Sequence, residues 1–243
     1  MPFALAFFGQ SDPTMEIMTR NFFEINEKLD RIDSHLEEMK VLITSATQKA
    51  AYIKVESDIE FGYRQMKLMF KKWKEVGNNC DSKKQCRRAR IKIAENYAEK
   101  MDGAEKALNV LLRGLAGNGS EFAESLMSIV QRDTNCDIPQ MMSVYEKIFF
   151  LARKGQMVVV VLTKLRESKT SVLESMDHWL KNMYAFRDRM YETTDYCYQN
   201  INKYVHKDLE KMSGFDVDYI QRHLNMKYDW VDWVSKKYLS ASR

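Results

Sequence analysis

Residues that break helices are scarce in this chain. Its 243 residues include 9 Gly and 3 Pro, which together are about 5%, against roughly 12% in an average protein. No proline occurs between Thr14 and Ile138. Sandwiches and barrels need many turns, and turns depend on Gly and Pro, so this pattern argues against an all-β fold. Neither GxGxxG nor GxxxxGKS/T occurs, which argues against the common phosphate-cradling enzymes.

Apolar residues recur at alternating spacings of three and four near the start of the chain. Four consecutive heptads of this kind predict a coiled-coil-like helix. The spacing resumes in a new phase between Tyr52 and Val76, so we expect either one very long helix or a kink near residues 44–51. The a positions are Met15, Phe22, Leu29, Leu36 and Ile43, and the d positions are Met18, Ile25, Ile32 and Met39.

The remaining breakers divide the chain into further helices. Val158–Val161 resembles a strand in composition, but no partner strand is evident, so we predict a buried helix there. The prediction is an all-α fold, an elongated antiparallel bundle of five or six helices with a long coiled-coil-like first hairpin. Its parts are an apolar arm over 1–13, the hairpin over 14–114, bundle helices over 120–211 and a C-terminal helix over 216–240.

The predicted helix boundaries rest on caps and breakers. Ser82, Ser120, Asp137-Ile138-Pro139 and Asp216 are expected to open helices, and one uninterrupted helix is expected from Ser168 to about Lys211. The inward residues predicted for that last helix include Leu173, Met176, Leu180, Met183, Tyr184, Phe186 and Met190.

Charge is distributed unevenly along the chain. Residues 1–63 hold 6 basic and 11 acidic side chains, whereas residues 64–92 hold 11 basic and 2 acidic ones. The basic block could meet an anionic membrane, a nucleic acid or the chain's own acidic first segment. Because Tyr63, Phe70 and Trp73 in or beside it follow the core spacing, we do not expect nucleic-acid binding. The candidate surface cations are Lys71, Lys72, Lys74, Lys83, Lys84, Arg87 and Arg88.

Four cysteines and one sequon bear on the cellular location. Cys80 and Cys86 flank a short polar loop, where a disulfide would staple a turn, whereas no pairing can be assigned for Cys136 and Cys197. Asn118 is a candidate N-glycosylation site. We expect a secreted protein, with a cytoplasmic protein carrying free thiols as the alternative.

Few residues in the sequence indicate catalysis or metal binding. The four histidines are far apart in sequence and form no metal-binding motif, and acidic pairs such as Glu37-Glu38 belong to polar helix faces. We therefore expect no enzyme activity, no cofactor and no metal. Trp230 and Trp233 lie among lysines near the C-terminus and are candidates for anchoring at a membrane interface. The alternative is that they dock the last helix onto the bundle.

Several segments resemble the cephalotoxin-like and rapunzel-like animal proteins. FFGQ at residues 7–10 precedes INEKLDRI at residues 25–32, and YEKIFFLARKGQ at residues 145–156 resembles a late family helix. The resemblance covers about residues 5–200. It implies a helical, often secreted protein, with toxins and developmental proteins among its relatives and no catalytic residues to transfer. The matching positions are Phe22, Phe23, Asn26, Lys28, Leu29, Asp30 and Ile32.

These observations favour a secreted, toxin-like helical protein that binds or assembles on membranes, with pore formation as one form of that activity. The supporting features are the heptad helix, the basic block, the 16 methionines and the C-terminal tryptophans. The alternative is a non-lytic interaction protein that docks another protein through its long hairpin. The expected partners are an anionic membrane surface or a protein, and a homo-oligomer is a further option.

Overall fold

The computed structural model describes residues 45–78, 82–117, 122, 124–166 and 169–229. The heptad run and the apolar arm lie outside these residues, as do residues 230–243. Within the described ranges the chain is helical without strands, which confirms the all-α prediction. The helices are α1 (Ala46–Asn78), α2 (Lys83–Ala116), α3 (Leu126–Asp133), α4 (Ile138–Arg166), α5 (Lys169–Gln199), α6 (Ile201–Lys211) and α7 (Val217–Lys227).

Helices α1 and α2 form a long antiparallel hairpin. Ser82 caps α2, because its hydroxyl accepts a hydrogen bond from the backbone N–H of Gln85. The two helices approach so closely at Gly62 that a Cβ atom there would collide with the side chain of Ala104. The crossing needs a residue without a side chain at this position, which explains why a glycine occurs inside a continuous helix.

Helix α4 is the central element of the bundle. Residues Val158 and Val161 are buried in it, which confirms the helical prediction for that stretch. Three other helices surround α4: α1 contacts it through the Glu56–Lys147 ion pair, α2 through Leu108 against Gly155, and α5 through the edge-to-face contact of Phe186 with Tyr145. A helix enclosed in this way reads as apolar nearly all around, and this explains why its sequence resembles a strand.

The segment expected as one helix over residues 168–211 is two helices, so that prediction is wrong. Asn200 leaves helical geometry at φ −107° and ψ 18°, and its side-chain amide donates to the carbonyl of Tyr196. Asparagine favours such local bonds to the backbone over helix continuation. With this break, the described residues contain seven helices rather than five or six.

Two other boundaries differ from the prediction. The short helix α3 begins at Leu126 and is capped by Ser125, whose hydroxyl accepts from the N–H of Ser128, so the expected start at Ser120 is wrong. Helix α7 is capped by Asp216 as expected but ends at Lys227 rather than near residue 240. It ends there because Tyr228 leaves the helix and buries its side chain against α6.

Candidate functional site

The end of the hairpin carries a cluster of exposed cations, here called the basic tip, formed by residues 64–78 of α1 and 83–92 of α2. Lys71, Lys84 and Arg88 are exposed, and within the described part of the chain none of them makes an ion pair. Glu75 is the one acidic residue described in these two stretches. Lys72 and Lys74 are also exposed.

The aromatic residues of the basic tip belong to the core. Tyr63, Phe70 and Trp73 are buried, and the indole N–H of Trp73 donates to the carbonyl of Arg90 at 3.1 Å. The Arg90 guanidinium lies 5.9 Å from the centre of the Trp73 ring. Because these three rings face inward, they are not available to stack on nucleobases, which is how single-stranded nucleic acids are usually held. The tip therefore presents charge rather than stacking surface.

The tip projects along the hairpin past the end of α4. Arg166, the last residue of α4, forms an ion pair with Asp102 and a second with Glu105 at 3.3 Å, so α4 ends near this level of α2. From Asp102 back to Lys83 there are 19 residues, which is about 28 Å of helix. The cations of α2 lie within this stretch.

Two acids of α1 form ion pairs with lysines of α4, away from the basic tip. Glu56 pairs with Lys147 at 3.3 Å, and Glu60 pairs with Lys154 at 2.7 Å, both on α4. These described acids of the first segment thus bind the central helix and not the basic tip. The acids over residues 16–38 lie outside the described residues.

A second surface is an exposed apolar stripe along α5. Leu173 and Tyr191 are each 68% exposed, and the guanidinium of Arg187 lies 5.1 Å from the ring centre of Tyr184. From Leu173 to Tyr198 the stripe spans 25 residues, or about 38 Å. Its members are Leu173, Met176, Leu180, Tyr184, Tyr191 and Tyr198.

The stripe corrects a prediction of the sequence. Leu173, Met176, Leu180 and Tyr184 were expected to face inward, but Phe186 is the residue of that set that is fully buried, with Met183 and Met190 partly buried beside it. The apolar arc of α5 is wider than the surface that its neighbours α2, α3 and α4 cover. Periodicity predicts which residues share a face but not how much of a wide face finds a neighbour.

A buried polar cluster joins the C-terminal helices to the bundle. Asp208 of α6 accepts hydrogen bonds from the amide of Asn135 at 2.7 Å and the hydroxyl of Tyr228 at 2.8 Å, and it forms an ion pair with Lys227. Burial, together with the hydrogen bond to Asp208, raises the pKa of Tyr228. Burial also raises the pKa of the nearby Asp137 carboxyl. These side-chain bonds join α6 to the α3–α4 turn and to the end of α7, so the cluster acts as a clamp.

A disulfide lies next to this clamp. Cys136 in the turn between α3 and α4 is bonded to Cys197 of α5, across 61 residues of sequence. Asn135 and Cys136 adopt positive φ angles of 50° and 55°, and the turn is held by the disulfide on one side and Asp208 on the other. The sequence offered no way to pair these cysteines, because their proximity depends on how α5 packs against α3.

A cleft of about 280 Å³ lies between α2, α4 and α5. Its titratable residues include Glu105, Glu174 and His178, and the last two are exposed to solvent. Glu105 is engaged by Arg166. The expectation that the protein is not an enzyme stays a prediction.

Several predicted site residues lie outside the described part of the chain. These are Cys80, Asn118, Trp230 and Trp233, and the side chain of Lys83 is not described either. Cys86 is disulfide-bonded and Arg87 is half-buried. The Cys80–Cys86 pairing, the glycan and the tryptophan anchor therefore stay predictions.

Comparison with known proteins assigns the family. No solved structure gives a significant match to the chain. The model of the cephalotoxin-like middle helical domain matches residues 9–215, which covers most of the sequence and all of helices α1 to α6. The match agrees with the all-helical bundle and with the resemblance carried by residues 25–32 and 145–156. The chain therefore belongs to the family of the cephalotoxin-like middle helical domain.

Proposed function

We propose that the protein is a secreted, toxin-like helical protein that binds anionic membrane surfaces through its basic tip. The observation that carries the proposal is the group of exposed cations at the end of the hairpin, including Lys71, Lys84 and Arg88, which no described acid neutralises. The family match supports the toxin-like character, and the Cys136–Cys197 disulfide fits an oxidising compartment.

The attraction between these cations and an anionic leaflet is strong enough for reversible binding. Each Lys or Arg close to an anionic leaflet contributes about 1 kcal/mol, and the attraction decays over a Debye length of about 8 Å at physiological salt. Cations at the end of a projecting hairpin can reach that distance without the rest of the bundle being dehydrated. Lys71, Lys84 and Arg88 alone would thus contribute about 3 kcal/mol together.

In this proposal the protein first contacts lipid at the membrane surface. None of the described helices is long and apolar enough to cross a bilayer. The apolar stripe of α5 supplies side chains that can enter the headgroup boundary, as apolar residues of peripheral helices do. Charge brings the protein to the membrane in this proposal, and apolar contacts strengthen the bound state.

The test is co-sedimentation with vesicles of neutral lipid and of mixed neutral and anionic lipid. The variant Lys71→Glu/Lys84→Glu/Arg88→Glu should lose at least a hundredfold in partitioning onto the anionic vesicles, because three attractive charges are reversed. A matched control, Lys106→Glu/Lys207→Glu/Arg222→Glu, changes the net charge equally at exposed positions away from the tip and should retain most binding.

Two outcomes would contradict the proposal. Wild-type protein could fail to sediment with anionic vesicles, or the control could lose as much binding as the tip variant. The second result would mean that net charge alone matters. Release of an encapsulated dye, measured in the same samples, separates surface binding from lysis.

A second candidate function is protein docking through the hairpin. The outer face of α1 exposes Ile53, Phe61 and Leu68, and an apolar set of this kind suits a partner protein. If this function holds, the protein binds cells but not protein-free vesicles, and Phe61→Gln/Leu68→Gln abolishes cell binding. Retained cell binding by that variant would exclude the docking function.

A further inference from the structure

The exposed stripe of α5 follows a heptad pattern. Eight positions recur at alternating spacings of four and three, and they share an arc of about 100° on the helix surface. Phe186 and Cys197 attach α5 to the bundle from a different side, more than about 100° around the helix from the middle of this arc. The stripe is thus a second packing face that the described helices leave largely uncovered. Its heptad positions are Leu173, Asp177, Leu180, Tyr184, Arg187, Tyr191, Thr194 and Tyr198.

A second copy of α5, running antiparallel, complements this row of side chains. A two-fold axis midway between residues 185 and 186 places position 173 opposite position 198, and position 180 opposite position 191. Leu173 then packs against the ring of Tyr198 from the other copy, and Leu180 packs in the same way against Tyr191. Because the axis is two-fold, each of these contacts forms twice in the pair.

The polar heptad positions also meet suitable residues in this arrangement. Arg187 lies opposite Tyr184 of the other copy, and within one copy its guanidinium already lies 5.1 Å from the centre of that ring. Asp177 lies opposite Thr194, so no layer of the pair brings two like charges together. A parallel pair in register would instead place Arg187 against Arg187 and Asp177 against Asp177. The charges therefore favour the antiparallel direction.

Charged residues that flank the row add to the complementarity at its centre. Lys181 and Asp188 occupy the same flanking position of successive heptads, so Lys181 of one copy comes beside Asp188 of the other. This contact also forms twice. Glu174 and Asp195 come together at the two ends of the pair, where both side chains are exposed and salt screens their repulsion.

The exposed area of the stripe is close to what a stable dimer needs. Its six apolar members are 43% to 68% exposed, which at about 200 Å² for each side chain is about 650 Å² in each copy. A stable interface buries about 800 Å² on each partner. Four charged side chains beside them are each more than half exposed and supply the difference: Asp177, Lys181, Arg187 and Asp188. We propose that the protein forms an antiparallel two-fold dimer through the α5 stripe, with Leu180 of one copy packed against Tyr191 of the other.

The dimer leaves both basic tips uncovered. Helix α4 ends on the side of the tip, and α5 runs antiparallel to it, because Phe186 contacts Tyr145 and Ser175 lies beside Gln156. An antiparallel pair of α5 helices therefore points the two tips in opposite directions. The stripe cannot contact lipid and a second copy at once, so the lipid contact proposed above belongs to the dissociated protein on a membrane.

Sedimentation equilibrium of the full-length protein tests the dimer. We expect a Kd in the micromolar range, as interfaces of this size allow. Leu180→Glu should raise that Kd at least about a hundredfold, because the substitution places a charge against Tyr191 twice in each dimer. Leu68→Glu is the matched control and should leave the Kd unchanged, because Leu68 lies on α1 and is 45% exposed, against 49% for Leu180.

A pair of opposite charges tests the direction of the helices. In Leu180→Glu/Tyr191→Lys, the new carboxylate at position 180 faces the new ammonium group at position 191 of the other copy only in an antiparallel dimer. The Kd of this variant should be at least about tenfold lower than that of Leu180→Glu alone. In a parallel dimer like charges would face each other, and the Kd would rise further.

Three results would overturn the proposal. The wild-type protein could stay monomeric up to about 100 µM, which would assign the stripe to lipid or to another partner. Leu68→Glu could dissociate the dimer as strongly as Leu180→Glu, or the pair of opposite charges could bring no recovery. The Lys71→Glu/Lys84→Glu/Arg88→Glu variant should dimerise like the wild type, so failure of the dimer and failure of membrane binding are measured separately.

Discussion

Replacing Asp208 by asparagine removes one negative charge from a polar cluster that is almost completely enclosed. The Asp208 and Lys227 side chains are 6% and 8% exposed, and the Asp208 carboxylate also accepts from Asn135 and Tyr228. Asparagine keeps the size and one acceptor oxygen. It removes the charge that balances Lys227 and leaves that ammonium group buried without a counter-ion.

We expect a large loss of stability, because most of it comes from the Lys227 charge that is left buried without a partner. Breaking a buried ion pair by removing one partner costs about 3–5 kcal/mol. Since the amide oxygen can still accept one hydrogen bond, we expect Asp208→Asn to lower the free energy of unfolding by about 3 kcal/mol. The double variant Asp208→Asn/Lys227→Met removes the stranded ammonium as well. It should therefore cost less than the single variant, about 1–2 kcal/mol.

Urea unfolding followed by circular dichroism measures these differences. Asp177→Asn is the matched control, because Asp177 pairs with Lys181 at 2.6 Å on the exposed surface of α5 and should matter by less than about 1 kcal/mol. The reasoning is refuted if Asp208→Asn costs no more than Asp177→Asn. It is also refuted if the double variant is less stable than the single one.

Three further predictions concern stability. Cys136→Ala/Cys197→Ala should lower the free energy of unfolding by about 4 kcal/mol, since the bond closes a loop of 61 residues, and an unchanged urea midpoint would contradict this. Gly103→Ala should raise the free energy of unfolding by about 0.5–1 kcal/mol, because the site opens onto free space, whereas Gly62→Ala should lower it. Thermal melting measures both changes, and melting temperatures that shift in the same direction would contradict the account of the α1–α2 crossing. Burial raises the pKa of Tyr52, so the folded state favours the neutral phenol, and the free energy of unfolding should fall as the pH rises above about 10. If a Tyr52→Phe variant has the same alkaline melting curve as the wild type, Tyr52 is not the cause of that fall.

Local rules in the sequence predicted much of the fold. Ser82 and Asp216 cap helices as their side chains suggest, and Asp137 opens α4 by accepting from the N–H of Gln140. The core assignment of Trp73 also follows from spacing alone, and it is buried. These features depend on residues within one or two turns, so a single sequence contains the information.

The features that the sequence did not predict depend on contacts between distant segments. The helix break at Asn200 turns α6 so that Asp208 reaches Asn135, 73 residues away in sequence. The exposure of Leu173 depends on how much of α5 its neighbours cover. Asp208 itself looks like an ordinary surface acid in the sequence, and only the packing of α7 shows that it is buried.

The sequence predicted where the candidate site lies but not how the acids near it are paired. The charge count located the basic tip, and the structure shows Lys71, Lys84 and Arg88 exposed there. The sequence left open whether acids of the first segment neutralise this tip. Glu56 and Glu60 bind α4 instead, because the hairpin directs that face of α1 toward the central helix and not toward the tip.

Salt dependence of vesicle binding is the most direct test that the basic tip binds anionic membranes. Partitioning of the wild-type protein onto anionic vesicles should fall steeply between about 0.01 M and 0.15 M salt, because the Debye length shortens from about 30 Å to about 8 Å. The Lys71→Glu/Lys84→Glu/Arg88→Glu variant should bind weakly and nearly independently of salt. Wild-type binding that is insensitive to salt, or that the tip variant retains in full, would contradict the proposed function.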